Sequence, residues 1–288
     1  MLENINLSGK NILITGGSMG IGYSAAEACL QSGGNVVICA RNKTDVDTAV
    51  DSLKAQGNQN IIGIPADVTQ QKQVEIALDT VESQFGSINS VIHAAGVLGP
   101  IGDITNVDPE KWFNTIEINL FGTFLVTRQT CLRFKKIGGG RIVLFSGGGA
   151  AYPFSNYTAY ASSKVGVVRF TETIAHEMAD DNIEVNCIAP GFVITRMQQQ
   201  TLDAGQLAGK DYLEKTKAQI EKGGVPASIA ASAAAFLISD QAKGITGKFV
   251  AAPYDSWKDW PEHLEELKNT DIFTLRRIIP KERGMDWQ

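Results

Sequence analysis

Two side chains near the middle of the chain have the types and spacing that proton transfer needs. Tyr160 and Lys164 stand four residues apart, which on a helix places the phenol and the ammonium on one face. A free phenol has a pKa of about 10, too high for a base at neutral pH, and a nearby cation favours the phenolate. Tyr160 is therefore a candidate general acid/base with Lys164 as its cation, although ordinary helix surfaces show the same spacing.

A glycine-rich segment near the amino terminus has the composition of a phosphate-binding turn. Residues 15–22 read TGGSMGIG, directly after an apolar strand candidate and before a helical pattern. Glycines let the backbone turn sharply towards a pyrophosphate, and a helix N-terminus offers free N–H groups and a positive dipole end. A turn that binds no ligand is the alternative. The predicted phosphate-binding residues are Gly16, Ser18, Gly20, Ile21 and Gly22.

The end of the second predicted strand indicates which dinucleotide is bound. An acidic side chain there would hold the ribose hydroxyls of NAD, but the chain has Arg41 and Asn42. A guanidinium can pair with a 2'-phosphate, so we expect NADP(H). The alternative is that Arg41 is a solvated loop residue. Asp67 and Val68, after the third strand, are predicted to contact the adenine, with helix capping as the alternative for Asp67.

Together with further short motifs, these features resemble those of the short-chain dehydrogenase/reductase family over roughly residues 7–250. The further matches are Ala94-Ala95-Gly96, Asn119, Pro190-Gly191 and Thr195. The resemblance implies a single Rossmann domain with strand order 3-2-1-4-5-6-7. It also implies a carbonyl or alcohol substrate beside a nicotinamide, with no metal.

The resemblance also implies a role for each matching residue. Tyr160 would be the general acid in reduction, while Lys164 would lower its pKa and hold the nicotinamide ribose. Asn119 would anchor a water that relays protons from Lys164. Packing is the alternative for these roles. Residues implied to lie under the adenosine ribose or around the nicotinamide are Ala94, Ala95, Gly96, Pro190, Gly191, Val193 and Thr195.

The chain departs from the family pattern at two positions close to these motifs. The family's substrate-orienting serine stands thirteen residues before the tyrosine, where this chain has Gly147, and Ser146 stands one residue earlier. We expect the glycines that follow to deliver Ser146 to the same place; if they do not, Tyr160 polarises the substrate alone. His93 replaces the family's asparagine. We expect it to be buried and satisfied by backbone groups rather than catalytic.

The elements that must position these residues alternate along the chain. Short β-branched runs alternate with helical patterns, which predicts an α/β fold with a doubly wound, Rossmann-type parallel sheet of about seven strands in three layers. The predicted domain covers residues 1–252, and a tail covers residues 253–288. The strands are predicted at residues 11–15, 35–40, 61–65, 90–94, 141–145, 183–188 and 248–252. Helices are predicted near residues 20–32, 70–85, 108–137, 155–180 and 226–238.

Two regions interrupt this alternation. Residues 195–224 form a polar helical stretch, which in the resembled family is a mobile lid over the substrate. Its charged and amide side chains favour a polar substrate, although a solvent-facing helix explains them equally well. The tail carries Tyr254, Trp257 and Trp260, and exposed tryptophans are costly. We expect this aromatic patch to pack on the domain or on a neighbouring subunit, with substrate contact as the alternative.

Composition limits the other classes of function. The net charge is -5 and the pI is about 5.3, which provides no basic face for nucleic acid. No apolar run approaches the roughly 20 residues of a membrane span, and the first ten residues do not resemble a signal peptide, so we expect a cytoplasmic protein. The cysteines are scattered without zinc-site spacing and are expected to be reduced. The resemblance suggests a homodimer or homotetramer through the helix bearing Tyr160.

These observations predict an NADP(H)-dependent oxidoreductase. It would reduce a carbonyl or oxidise an alcohol, with Tyr160 as acid/base, on a small polar or sugar-like molecule. A 3-oxoacyl thioester reductase is the alternative substrate class. A catalytically silent protein that binds and senses NADP(H) is the alternative from another class. The serine is displaced, and the last strand runs into Pro253-Tyr254 where the resembled family has an Asp-Gly-Gly turn.

Overall fold

The core of the protein is one parallel sheet. A computed structural model describes residues 5–287; residues 1–4 and residue 288, at the ends of the predicted domain and tail, lie outside the described residues. The sheet has seven strands in the order β3-β2-β1-β4-β5-β6-β7, which confirms the predicted doubly wound architecture. In chain order, β1 to β7 are Asn11–Thr15, Asn35–Ala40, Ile61–Pro65, Ser90–His93, Gly140–Phe145, Ile183–Ala189 and Phe249–Ala251.

Alternate residues of the central strands supply two separate hydrophobic cores. Leu13 and Val91 belong to one core, whereas their neighbours Ile12 and Ile92 belong to the other. Successive strand side chains point to opposite faces, so a strand that is apolar throughout must be covered on both sides. For this reason a layer of helices packs on each face of the sheet.

The helices cover these two faces. In chain order, α1 to α10 are Gly20–Gln31, Lys43–Ala55, Gln71–Phe85, Pro109–Ile116, Gly122–Ile137, Thr158–Glu177, Arg196–Ala204, Lys210–Glu221, Ala227–Leu237 and Leu264–Asn269. Helix α2 was not predicted. Its signals are Asn42, whose side chain caps the helix, and a helical spacing of buried residues from Val46 to Leu53.

The single helix predicted over residues 108–137 is interrupted. Between α4 and α5 the chain forms a π-helical turn, Glu117–Phe121, which contains Asn119. Such turns are rare and frequently stand at functional sites. The periodicity of the sequence does not distinguish this turn from a continuous helix.

The tail packs on the domain. Trp257 and Trp260 are buried in the core shared with α9, and the indole of Trp257 donates to the carbonyl of Ala252 at 3.0 Å. Further along, the carbonyl of Phe273 accepts a hydrogen bond at 2.8 Å from the backbone of Phe249 in edge strand β7. The tail thereby covers an exposed strand edge. Tyr254, from the same predicted aromatic patch, is 78% exposed.

The described residues were searched for membrane-spanning helices and for metal-binding clusters. Within residues 5–287, no helix has the length and mean hydropathy needed to cross a membrane. The acidic, histidine and cysteine side chains of this part of the chain form no group of three that could hold a metal ion.

Candidate active site

The predicted motifs meet at one edge of the sheet. The glycine turn follows β1, Ala94 follows β4, Ser146 follows β5 and Pro190 follows β6. Because these strands are parallel and adjacent, their carboxyl ends share one edge, which is where doubly wound sheets bind ligands.

The glycine turn is too tight for side chains. A methyl group added at Gly16, where φ is +66°, would lie 2.7 Å from the backbone nitrogen of Ala95. One added at Gly22 would lie 2.2 Å from the carbonyl oxygen of Gly16. Helix α1 begins at Gly20, and the preceding Met19 provides no side-chain cap. The first N–H groups of α1 therefore carry no side-chain cap, as a phosphate site requires, and phosphate binding by Ser18 to Gly22 stays a prediction.

Arg41 and Asn42, the residues predicted to lie near the cofactor's adenosine ribose, directly follow β2. The guanidinium of Arg41 is on the exposed surface. The side-chain oxygen of Asn42 accepts hydrogen bonds from the backbone of Thr44 at 2.8 Å and Asp45 at 3.3 Å, so it caps α2. Within residues 5–287, the side chain of Arg41 makes no hydrogen bond or ion pair, whereas that of Asn42 is used to cap α2.

Asp67 holds a turn rather than a helix end. One carboxylate oxygen accepts from the backbone and the hydroxyl of Thr69 at 2.9 and 2.8 Å. Helix α3 is preceded by Gln70, so the capping alternative for Asp67 is wrong. Val68 is buried, and a methyl group added at Gly122 would lie 2.8 Å from its side chain.

The segment after β4 is held beneath the site by Thr15. The backbone of Ala94 donates to the Thr15 carbonyl at 3.1 Å, and the backbone of Ala95 donates to its hydroxyl at 3.3 Å. A methyl group added at Gly96 would lie 3.2 Å from Oδ1 of Asn119 and 3.4 Å from Nζ of Lys164. Glycine at this position therefore lets the segment lie directly against two predicted catalytic side chains.

His93 is bonded through a side chain and not through backbone groups, contrary to our expectation. Its Nδ1 lies 2.8 Å from the hydroxyl of Thr15. Its Nε2 is buried and lacks a hydrogen-bond partner among residues 5–287. Burial, and then the charge of Lys164, lower the pKa of His93 to about 3. The ring is therefore neutral at physiological pH.

Tyr160 and Lys164 lie on α6 and are both buried. Nζ of Lys164 donates to the carbonyl of Phe145 at 2.9 Å and lies 5.7 Å from the centre of the Tyr160 ring. Burial lowers the pKa of Lys164 to about 8. Burial, and then the phenol of Tyr212, raise the pKa of Tyr160 above its ordinary value. The protein alone therefore favours the neutral phenol, the form that donates a proton, and the predicted effect of Lys164 on Tyr160 stays a prediction.

Asn119 joins the π-helical turn to α6 and to the segment after β4. Its amide donates to the carbonyl of Val97 and to the hydroxyl of Ser163, each at 2.9 Å, and its oxygen accepts from the backbone of Val97 at 2.8 Å. Ser163 immediately precedes Lys164, so Asn119 positions the turn of α6 that carries the ammonium. The predicted water relay from Asn119 remains a prediction.

Ser146 does not replace the serine of the family pattern. Its hydroxyl is buried and donates to the carbonyl of Lys164 at 3.1 Å. The position that faces the phenol is Gly147, where an added methyl group would lie 2.3 Å from Oη of Tyr160. The backbone of Ser146 also donates to the carbonyl of Ile188 at 2.8 Å, so the sheet ladder fixes its orientation. Our expectation that the glycines would deliver Ser146 to the phenol is therefore wrong.

The segment after β6 connects the site to the lid. Gly191 has φ +79°, and a methyl group added there would lie 2.8 Å from the ring of Pro253. Val193 is buried. The backbone N–H of Thr195 donates to the side chain of Gln198 at 3.0 Å, and the Thr195 hydroxyl accepts from the backbone of Met197 at 3.3 Å, forming a capping box at the start of α7. A methyl group added at Gly20 would lie 3.5 Å from the Thr195 methyl, so the lid begins beside the glycine turn.

The lid presents an apolar face to Tyr160. Its charged side chains, including Lys210 and Lys217, are exposed, so the solvent-facing alternative explains them. The buried face joins Tyr160 in one apolar cluster. Its other members are Leu98, Ile101, Phe154, Tyr157, Met197, Leu202, Ala208, Tyr212 and Leu213. These aromatic residues were not predicted to belong to the site, although Phe154, Tyr157 and Tyr160 recur at every third position of the sequence.

The chain is similar to known oxidoreductases over most of its length. The family model for short chain dehydrogenases matches residues 10–205. Dehydrogenase/reductase SDR family member 4 of Caenorhabditis elegans is 32% identical over 242 residues, 84% of this chain and 93% of that protein. The 2,3-dihydro-2,3-dihydroxybenzoate dehydrogenase of Bacillus subtilis is 32% identical over 245 residues, 83% of this chain and 93% of that protein.

Solved structures of a ketoreductase and of a dehydrogenase/reductase have the same fold as this chain. An actinorhodin polyketide ketoreductase variant with NADPH superposes with a TM-score of 0.76 at 26% identity, covering 84% of this chain and 94% of that one. A short-chain type dehydrogenase/reductase from Mycobacterium ulcerans gives a TM-score of 0.77 at 27% identity, covering 93% and 98%. With a tyrosine, a lysine and a glycine turn converging at one sheet edge, the chain belongs to the short-chain dehydrogenase/reductase family of oxidoreductases.

Proposed function

We propose that the protein is an NADP(H)-dependent oxidoreductase that interconverts a carbonyl and an alcohol, with Tyr160 as the acid/base. The observation that carries this proposal is the buried Tyr160 beside Lys164, under the lid and at the sheet edge that holds the glycine turn. A phenol kept neutral by burial can donate a proton to a carbonyl oxygen. The reverse reaction needs the phenolate, which the nearby ammonium favours.

The glycine turn and the end of β2 fit the phosphate groups of a dinucleotide cofactor. The turn from Gly16 to Gly22 excludes side chains, and the start of α1 offers uncapped N–H groups to a pyrophosphate. Exposed Arg41 at the end of β2 supports the 2'-phosphate of NADP, as does the NADPH in the structure of the actinorhodin ketoreductase. When bound, the nicotinamide donates or accepts the hydride.

The surrounding residues keep the proton donor in place. Lys164 is anchored by Phe145, and Asn119 holds the adjacent turn of α6 through Ser163. Residues of the lid help to bury the phenol, and low exposure to solvent strengthens the electrostatic effect of the Lys164 charge. The proton that Tyr160 gives to the substrate would be replaced through Lys164.

The Tyr160→Phe variant tests this proposal. We expect turnover to fall by about 10²- to 10⁴-fold while NADPH still binds, because only the acid/base hydroxyl is removed. Tyr23→Phe is the matched control: it removes a phenol hydroxyl that contacts Ser52 on the outer helices, and should retain turnover. Full activity of the Tyr160→Phe variant would contradict the proposed mechanism.

A catalytically silent NADP(H)-binding protein is the second candidate. The observation that favours it is Gly147, which leaves the phenol without the serine of the family pattern. This candidate predicts NADPH binding without turnover on a panel of ketones, aldehydes, ketoses and 3-oxoacyl thioesters. The panel includes the thioesters because a 3-oxoacyl-acyl-carrier-protein reductase of Vibrio cholerae is 31% identical over 246 residues, 85% of this chain and 96% of that protein.

We also propose a homodimer or homotetramer assembled through the outer face of α5 and α6. Large apolar side chains there are partly exposed, and Phe121 and Phe124 stack with ring centres 5.9 Å apart. Exposed apolar patches of this kind mark association surfaces. Light scattering should give a mass of two or four chains, and a monomer would contradict this assembly.

A further inference from the structure

The segments that follow β6 and β7 pack against each other at the edge of the sheet that holds the site. Ala189 and Ala251 form the last pair of these two strands, and the backbone of Ala252 donates to the carbonyl of Ala189 at 3.0 Å. Two residues beyond that pair, Gly191 meets Pro253. A methyl group added at Gly191 would lie 2.8 Å from Cγ and 3.6 Å from Cδ of Pro253. The proline ring therefore occupies the space that a side chain at position 191 would need.

Two side chains of the tail hold Pro253 at this position. The carboxylate of Asp255 accepts a hydrogen bond from the backbone of Ala251 at 2.7 Å and closes the turn that contains the proline. The indole N–H of Trp257 donates to the carbonyl of Ala252, the residue directly before Pro253, at 3.0 Å. The Trp257 ring is itself buried in the core against α9. The peptide that carries the proline is therefore anchored to the domain.

Residues 190–195, which we call the Gly191 segment, extend from the end of β6 to the glycine turn. At the far end of this segment, the Thr195 methyl would lie 3.5 Å from a methyl group added at Gly20. At its near end it adjoins β5, whose last carbonyl accepts the hydrogen bond from Lys164. Under the proposed function, a dinucleotide with its pyrophosphate at Gly20 and its nicotinamide beside Tyr160 runs along this segment.

The adenosine half of the cofactor would bind far from the tail. Arg41, proposed to bind the 2'-phosphate, follows β2, whereas Pro253 follows β7. These two strands are five positions apart in the order β3-β2-β1-β4-β5-β6-β7. With about 4.8 Å between neighbouring strands, their separation is roughly 24 Å. A change at Pro253 can therefore act on the nicotinamide half without contacting the adenosine half.

We propose that Pro253, held by Trp257, is a positioning residue for the nicotinamide half of the cofactor. Gly191 has φ +79° and the wide backbone freedom of a glycine, so its restraint comes from its neighbours. The Pro253 ring keeps the Gly191 segment in one conformation before the cofactor binds, so that binding does not have to order it. This role rests on the proposed function, and it gives the tail a part in cofactor binding besides covering β7.

The binding of two ligands to the full-length protein tests this role. NADPH contains both halves of the cofactor, whereas adenosine 2',5'-bisphosphate contains only the adenosine half with its 2'-phosphate. Pro253→Ala should raise the Kd of NADPH by about 2- to 12-fold, because the cofactor must then order the Gly191 segment. The Kd of adenosine 2',5'-bisphosphate should change by less than about twofold, since distant sites act independently. Partial unfolding would instead reduce the number of binding sites for both ligands.

Trp257→Phe tests the same role through the residue that holds the proline. It keeps an aromatic ring in the core but removes the N–H that anchors the carbonyl of Ala252. We expect the same selective loss of NADPH affinity, with a smaller size than in Pro253→Ala. Pro280→Ala and Trp287→Phe are the matched controls. They make the same changes near the end of the tail, where Trp287 is 66% exposed, and should alter neither Kd.

The possible failures are distinguishable. If Pro253→Ala leaves the ratio of the two Kd values unchanged, the positioning role is wrong while the proposed function stands. Trp257→Phe decides by the same ratio if Pro253→Ala does not fold. If the wild type binds neither ligand, or if Tyr160→Phe turns over as fast as the wild type, the proposed function itself fails.

Discussion

The hydroxyl of Ser146 donates a hydrogen bond to the main-chain carbonyl of Lys164 at 3.1 Å. A side chain that could have oriented a substrate instead joins the end of β5 to the helix that carries the predicted proton donor. The phenol of Tyr160 faces Gly147, so neither residue places a hydroxyl beside it. Ser146 contributes to packing, and Gly147 lets the phenol lie close to the backbone.

The Ser146→Ala variant should therefore remain active. We expect kcat to stay within about threefold of wild type, because a serine that polarised the substrate would instead give a loss of about 10²-fold or more. The free energy of unfolding should fall by about 1 kcal/mol, since one buried hydrogen bond is lost. Steady-state kinetics and denaturant unfolding measure the two effects. A large loss of kcat without a loss of stability would restore Ser146 as a catalytic residue.

Gly147→Ala should damage turnover more than Gly148→Ala. A methyl group at position 147 would lie 2.3 Å from Oη of Tyr160, whereas one at position 148 would lie 3.3 Å from the nearest atom of Phe154. The phenol must move to accept the first change, and overpacking of this kind costs about 1–3 kcal/mol. We expect at least a tenfold larger loss of kcat in Gly147→Ala. Equal kcat values for the two variants would show that the Tyr160 ring moves freely.

The arrangement of strands could be predicted from the sequence because burial on both faces of a parallel sheet requires continuous apolar runs. Helix α2 could also have been predicted, since Asn42 is a cap residue and the buried positions from Val46 to Leu53 have helical spacing. The motif residues Tyr160 and Lys164 were found because a single helix fixes their spacing. Their assigned roles remain predictions.

The orientation of the side chains around the phenol could not be predicted. Ser146 and Gly147 are neighbours in an extended segment, so they point to opposite sides, and the bond from Ser146 to Ile188 decides which side each takes. The pairing of β5 with β6 depends on residues far apart in sequence. The packing of Phe154 against Tyr212 was missed for the same reason, because these rings meet only when the lid folds back over α6.

The buried charge of Lys164 should make stability depend on pH above neutrality. Its pKa in the folded protein is lowered from 10.5 to about 8, so the unfolded chain binds more protons between these values. The stability of the wild type relative to Lys164→Met should therefore be constant below pH 8 and rise between pH 8 and 10.5. The rise should be on the order of 3 kcal/mol. Unfolding titrations at several pH values measure it, and a constant difference would contradict the lowered pKa.

His93 should make the protein sensitive to acid. Burial and Lys164 lower its pKa from 6.5 to about 3, so the unfolded state binds the extra proton in this range and stability falls as pH decreases. His93→Asn removes this group but keeps a side chain that can bond to Thr15. The wild type should lose up to about 5 kcal/mol relative to the variant between pH 6.5 and pH 3. Unfolding of the two proteins at several acidic pH values measures this loss. A difference in free energy of unfolding that stays the same from pH 6.5 to pH 3 would contradict the lowered pKa of His93.

Arg41 should determine the choice between NADPH and NADH. It is exposed at the end of β2 and, unlike Asn42, is not used to cap α2. A charge-assisted hydrogen bond to the 2'-phosphate gives about 10- to 100-fold in affinity, so Arg41→Ala should weaken NADPH binding by this factor and leave NADH binding nearly unchanged. Titration of each cofactor against the protein measures both constants.

A second cation on the same helix provides the control for Arg41. Lys54→Ala removes an equal charge from the exposed far end of α2 and tests whether net charge alone attracts the cofactor. Its effect on NADPH binding should be small, because a distant exposed charge is screened by salt. Two results would remove the basis for NADP specificity: equal wild-type affinity for NADPH and NADH, or equal losses in the two variants. In the first case the end of β2 would not discriminate the 2'-phosphate, and in the second the contribution of Arg41 would be its charge and not its position.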